Sequence, residues 1–176
     1  MSRSGKVKGK QYFRYSLGIV LMVLIDQLSK VMAINHLRGQ ESVSLIKNVL
    51  ELNYLENLGA AFGSFSGKRA FLVIFTLLLT GVIGYRLICL PEDKKYQGMK
   101  LCLIATISGA LGNLIDRIFR GYVVDFIYFV PIDFPKFNVA DSYIVVSLFV
   151  LMIMLFTYYN DKEAGFLLSL KKRIDE

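Results

Sequence analysis

Residues 101–119 read LCLIATISGALGNLIDRIF, a run in which Asp116 and Arg117 are the only charges. A helix needs about 20 predominantly apolar residues to cross the hydrocarbon core of a bilayer, and this stretch is that long. Stretches 12–34, 70–90 and 142–159 match it in length and character. The sequence therefore predicts an all-α membrane protein with four transmembrane helices. With 176 residues, 55% of them apolar, and a mean hydropathy of +0.50, the chain has material for a single membrane domain over 1–176 and not comfortably for two.

The formal net charge of +7 is distributed as a topology signal. Arg3, Lys6, Lys8, Lys10 and Arg14 precede or open the first span. Arg86, Lys94, Lys95 and Lys100 gather around the second connection, and Lys162, Lys171, Lys172 and Arg173 follow the fourth span. Lysine and arginine mark the cytoplasmic side, so both termini and the middle connection are expected inside, and loops 35–69 and 120–140 outside. Charge that flanks spans in this way argues against a nucleic-acid partner. The amino terminus resembles a cleavable signal in outline, but no small-x-small site follows and Asp26 and Lys30 interrupt the apolar run; it reads as a retained helix. Cys89 and Cys102 fall near cytoplasmic helix ends, where thiols stay reduced, and without a CxxC or a histidine cluster they make no metal site. The lone His36 reads as an interfacial polar residue.

In the first outer loop, Leu50-Glu51-Leu52-Asn53-Tyr54 and Val43-Ser44-Leu45 alternate apolar and polar residues, the period of a half-buried strand. A small β-sheet in this first extracytoplasmic loop is expected, followed by a run of small residues from Gly59 to Gly63 suited to close packing or a bend. The second outer loop is rich in aromatics that suit the bilayer interface, and Pro131 and Pro135 keep a helix from running through it.

Ionisable residues inside a span are costly, about 2.5–3.5 kcal/mol for Asp or Lys at a helix centre on insertion scales. Asp26 and Lys30 are four apart on the first helix and can face one another. Asn113, Asp116 and Arg117 sit together on the third helix, and Asp141 opens the fourth. At 1.5 Å per residue, Asp26, Asn113 and Asp116 all lie about 18–22 Å from the inner ends of their helices, so three helices bring polar groups to one depth. Asp26–Lys30 and Asp116–Arg117 can each neutralise themselves and read equally well as interhelical clamps. Asp125 and Asp141 have no basic residue at helical spacing. Two carboxylates brought together cannot both ionise readily, and such a pair can activate water with one member and protonate a leaving amine with the other. Ser108, Gly109, Ala110 and Gly112 read as a packing surface for a neighbouring helix.

These residues resemble a known family. Asp26-Gln27-Leu28-Ser29-Lys30, Asn57-Leu58-Gly59-Ala60-Ala61-Phe62, residues 109–117, Val124-Asp125-Phe126 and Phe137-Asn138-Val139-Ala140-Asp141 look, in order, like the motifs of the lipoprotein signal peptidases, also called signal peptidase II. The resemblance spans nearly all of 15–160, with one departure at Ser108, where the family usually has glycine. It implies Asp125 and Asp141 as a catalytic dyad, with Asp26, Lys30, Asn57, Asn113, Asp116, Arg117 and Asn138 supporting or lining the site. It further implies a monomer in the lipid of the bacterial cytoplasmic membrane, using neither metal nor cofactor. Its substrates would be prolipoproteins whose lipobox cysteine carries diacylglycerol, cut just before that cysteine. Two other classes compete: a small transporter or channel subunit lined by Asp26, Asp116 and Arg117, and a lipid transferase holding magnesium on Asp116, Asp125 and Asp141. No Gly-x-Gly-Asp motif of the presenilin or prepilin peptidases occurs.

Reporter fusions test the charge asymmetry: residues 92–95 and both termini should report as cytoplasmic, and Glu41 and Asp133 as external. A cytoplasmic reporter after Asp133 would overturn this topology.

Overall fold

The computed structural model describes residues 3–59, 68–160, 162, 163 and 165, with side chains from Gln11 onward. Residues 60–63 of the small-residue run, and Lys171, Lys172 and Arg173, lie outside the described residues. The chain runs α1 (Arg3–Leu37), β1 (Val43–Ile46), β2 (Leu50–Asn57), α2 (Arg69–Cys89), α3 (Gln97–Phe119), β3 (Val123–Phe129), β4 (Phe134–Phe137) and α4 (Val139–Thr157). One-turn 3₁₀ segments at Lys94–Tyr96 and Val130–Ile132 lead into α3 and β4. Among the described residues, four helices are long and apolar enough to cross a membrane: Gln11–Leu37, Arg69–Cys89, Lys94–Phe119 and Val139–Thr157.

Burial sets the layout. The α3 span is 67% buried, whereas the other three range from 11% to 17%, so α3 is the axis and α1, α2 and α4 surround it. Their outer faces present Leu24, Leu28, Leu78, Val82, Phe149 and Phe156. Exposed apolar surface on this scale is stable only against lipid. Away from the sheet the bundle is packed by Leu87, Met99, Leu103, Ile104, Ile107 and Leu151. Cys102 is buried there and Cys89 is half-buried, both as free thiols.

The α3 helix can be central because its small residues admit its neighbours. A Cβ on Gly109 would come within 2.4 Å of the Ala140 carbonyl oxygen, and one on Gly112 within 2.4 Å of Asp26 Oδ2. Ser108, where the family pattern has glycine, is fully buried; its hydroxyl donates to the Ile104 carbonyl one turn back at 2.7 Å, so no polar atom is stranded.

The sheet is larger than the sequence reading allowed. Its order is β1-β2-β3-β4, all antiparallel, so the second loop contributes as many strands as the first. The run Val123-Val124-Asp125-Phe126-Ile127-Tyr128-Phe129 has the β-branched and aromatic composition of a strand. The apparent interfacial aromatics are therefore strand residues. Pro135 is tolerated because β4 is an edge strand. The sheet caps the bundle at the end where α1 and α3 finish and α4 begins, held on α1 by Ala33, Leu37, Val124 and Phe126. The α4 helix starts at Val139, three residues before the expected 142, because Asn138 accepts from the Asp141 backbone N–H while the Asp141 carboxylate accepts from the Asn138 N–H. This reciprocal capping box makes Asp141 the third residue of the helix rather than the first. His36, expected past the first span, lies exposed in the last turn of α1.

Close packing at Gly109 is directly testable. Gly109→Val should destabilise the protein by about 1–3 kcal/mol, the usual range for overpacking. Gly81→Val on α2, where a Cβ meets nothing within 4 Å, should leave thermal unfolding in detergent unchanged.

Candidate active site

Beneath the sheet, polar side chains from α1, α3 and α4 meet at one level. Lys30 is fully buried, and its Nζ lies 2.9 Å from Asp26 Oδ2, 3.0 Å from Asp116 Oδ2 and 2.9 Å from Asn113 Oδ1. Its three N–H donors are all used. The fully buried Asp26 and Asp116 are satisfied in turn: Asp26 Oδ1 accepts the Ala140 backbone N–H at 3.0 Å, and Asp116 Oδ2 accepts that of Val124 at 3.1 Å. Gln27 donates to Asp26, to Asp116 and to the Gly112 carbonyl.

The Asp116–Arg117 pairing left open by the sequence does not form. Asp116 pairs with Lys30 and with Arg120 one turn further on. Successive helical residues point about 100° apart, so Arg117 faces another way, half-buried, and donates to the Gly59 carbonyl at 3.0 Å. Sequence reasoning missed both Arg120 and Gln27. The i,i+4 spacing of Asp116 and Arg120 was the available signal for the first; nothing in the spacing marks the second.

Asp125 and Asp141 are held differently. Asp125, 2% exposed on β3, accepts the Asn57 amide on Oδ2 at 2.8 Å and the Asn138 amide on Oδ1 at 2.7 Å. Asn57 is the last residue of β2; Leu55, two positions earlier and so on the same face, is Asp125's cross-strand partner. Asp141 accepts the Asn113 amide at 2.8 Å and the Asn138 backbone N–H at 3.1 Å. Asn113 can present its NH₂ to Asp141 because its carbonyl is taken up by Lys30 and by Asn138 Nδ2. Among the described residues, neither Asp125 nor Asp141 forms an ion pair. Both face a cavity of about 1130 Å³, with Asn57, Asn113 and Arg117 also in its walls. Asp26, Lys30, Asp116 and Asn138 lie behind that wall.

Loss of hydration pushes the Asp125 carboxyl up to about 6, assisted by the nearby Asp141 charge and opposed by the Asn57 and Asn138 amides. A carboxylate can take a proton from water and a carboxylic acid can protonate a leaving amine, so a group poised near neutrality beside a second carboxylate suits acid–base hydrolysis.

Four spans, with one carboxylate on β3 and another in the first turn of α4, both framed by amides at a mostly apolar cavity, define a multi-pass membrane protein. The comparisons with known proteins sharpen that class. The family described as Signal peptidase (SPase) II matches residues 18–157. The chain is 43% identical over 141 residues to a lipoprotein signal peptidase of Clostridium novyi (strain NT), covering 78% of this chain and 93% of that protein. It is 39% identical over 141 residues to one of Streptococcus pyogenes serotype M1, covering 80% and 91% respectively. A solved bacterial membrane enzyme, determined by the in meso method at 2.3 Å, superposes with a TM-score of 0.72 at 33% identity over 85% of this chain and 93% of that one. A second at 1.9 Å gives 0.71 at 33% identity, over 83% and 94%. The chain belongs to the signal peptidase II family, and is thereby a bacterial multi-pass membrane protease of lipoprotein processing.

Burial of Asp125 has a pH signature. The folded state binds this proton more tightly than the unfolded chain, so stability falls as pH rises from about 4 to about 6 and the loss is complete above that window. At about 1.4 kcal/mol per pKa unit the loss is roughly 3 kcal/mol. Thermal unfolding across pH 4–8 should show this slope in the parent and a flatter one in Asp125→Asn.

Proposed function

We propose that this chain is an aspartic endopeptidase that cuts diacylglyceryl-modified prolipoproteins immediately before the lipidated cysteine, with Asp125 and Asp141 as its catalytic pair. The observation that carries the reading is the amide frame: each carboxylate is positioned by asparagine N–H groups, which orient it without neutralising it. One carboxylate takes a proton from water as the water oxygen attacks the scissile carbonyl. The other gives its proton to the departing amine of the cysteine, so the C–N bond breaks and a new carboxyl terminus forms on the signal peptide. The buried Lys30 cluster acts behind the pair: Asp26, Lys30 and Asp116 fix α1, α3 and β3, while Asn57, Asn113 and Asn138 hold the carboxylates and Arg117 lines the cavity. The apolar walls of that cavity, including Phe75 and Leu79 of α2 and Val145 and Val146 of α4, suit a signal peptide's membrane segment and acyl chains.

The lysine and arginine distribution supports a site on the extracytoplasmic side with both termini in the cytoplasm. A transporter path is disfavoured because α3 continues from the polar cluster into apolar packing at Ile104, Leu103 and Met99. Three-carboxylate magnesium chemistry is disfavoured because Asp116 is committed to Lys30 and Arg120.

The purified protein should release the signal peptide from a diacylglyceryl-modified prolipoprotein, read by mass analysis, with activity retained in excess chelator. Asp125→Asn and Asp141→Asn should each lower the rate by at least about 10²–10⁴ while the protein still inserts. The double variant should be barely worse, since groups acting as a unit are non-additive. Cleavage at another bond, or normal cleavage by Asp125→Asn, would refute the assignment.

A further inference from the structure

The cavity beside the carboxylates has two chemically different ends. One is sunk between α2 and α4; Leu79, ten residues into α2, lies about 15 Å along the helix from Arg69. The other opens at the sheet, where Glu56, Tyr128, Asp133 and Lys136 contribute to its walls. If the apolar segment of a signal peptide occupies the first, the chain beyond the cut bond leaves past the second. The charges there are mostly engaged. Glu56 pairs with Arg38 at 2.8 Å and accepts the Tyr54 hydroxyl at 3.0 Å; Asp133 accepts the Tyr128 hydroxyl at 2.7 Å. Arg117 donates to the Gly59 carbonyl. Lys136 stands apart. It is half-buried on the edge strand β4, its Nζ is 5.9 Å from the centre of the Tyr128 ring, and it takes part in none of the ion pairs among the described residues.

We propose that Lys136 is a specificity-determining residue: its ammonium receives a carboxylate side chain on the residue just after the lipidated cysteine, so acidic sequences are cut in preference to basic ones. The proposal rests on the peptidase reading above and extends it to the released side of the substrate. A half-buried cation over an aromatic ring is partly desolvated, which strengthens its attraction for an incoming carboxylate relative to a fully solvated lysine. A lysine at the same substrate position would meet like charge and be disfavoured.

The test uses the full chain in uncharged detergent without phospholipid. Its substrates are three diacylglyceryl-modified prolipoprotein peptides differing only by Asp, Asn or Lys at the residue after the cysteine. The kcat/KM for Asp should exceed that for Lys by about fivefold, with Asn between, as expected of a partly exposed ion pair. The ratio should shrink in roughly 1 M salt, where charges are screened beyond about 3 Å. Lys136→Met should level the three substrates and Lys136→Glu should invert their order. Ratios are taken within each variant, so a smaller folded fraction cancels. An unchanged ratio in both variants, a uniform loss on all three peptides, or no discrimination by the parent protein would overturn the role of Lys136. Failure of the parent to cut any of the three would instead overturn the peptidase reading itself.

Discussion

A fully buried lysine ammonium organises this molecule. Lys30 is fully buried at membrane depth between Asp26 and Asp116. Arg120 adds a second cation, so two carboxylates are met by two positive charges. The partners then reach onward to α4 and the sheet: Asp26 to the Ala140 N–H and Asn113 to Asp141, both in the first turn of α4, and Asp116 to the Val124 N–H on β3. Removing one partner from a buried ion pair costs about 3–5 kcal/mol because the other charge is stranded, and in lipid there is no solvent to rescue it. The cluster therefore fixes where α1, α3, α4 and the sheet meet.

Two kinds of polar contact sit side by side here and do different work. Lysine and arginine neutralise Asp26 and Asp116 and lock them in place. Asparagine amides hold Asp125 and Asp141 in place but bring them no countercharge. Asn113 joins the two sets, taking Lys30 on its carbonyl and giving its NH₂ to Asp141. A charge-compensated layer thus backs a pair of carboxylates without countercharge, the preorganised arrangement that the proposed acid–base reading calls for.

Much of this was legible in the sequence because membrane constraints are severe. Four long apolar runs could only be spans, and Asp26, Lys30, Asn113 and Asp116 inside them had to be paired with something. Strands β1 and β2 were legible from alternation. Strand β3 was not, because Val123 through Phe126 are buried on both faces and so lack the period-two signature, and β4 is four residues with a proline among them. The partner of Asp116 was misread because adjacency in sequence is not adjacency on a helix. The start of α4 lies earlier than its apolar run because Asn138 and Asp141 form a reciprocal cap ahead of it. Gln27 could not have been placed at all, since its partners lie on another helix 85 and 89 positions away.

Asn138 ends β4's connection, caps α4 with its carbonyl, and gives its amide to both Asn113 and Asp125. The same side chain therefore caps a structural element and, on the proposed reading, completes the frame around the catalytic pair. The edge strand and the head of α4 are thereby tied through one residue, and a change that shifts β4 on β3 also moves the amide that Asp125 accepts.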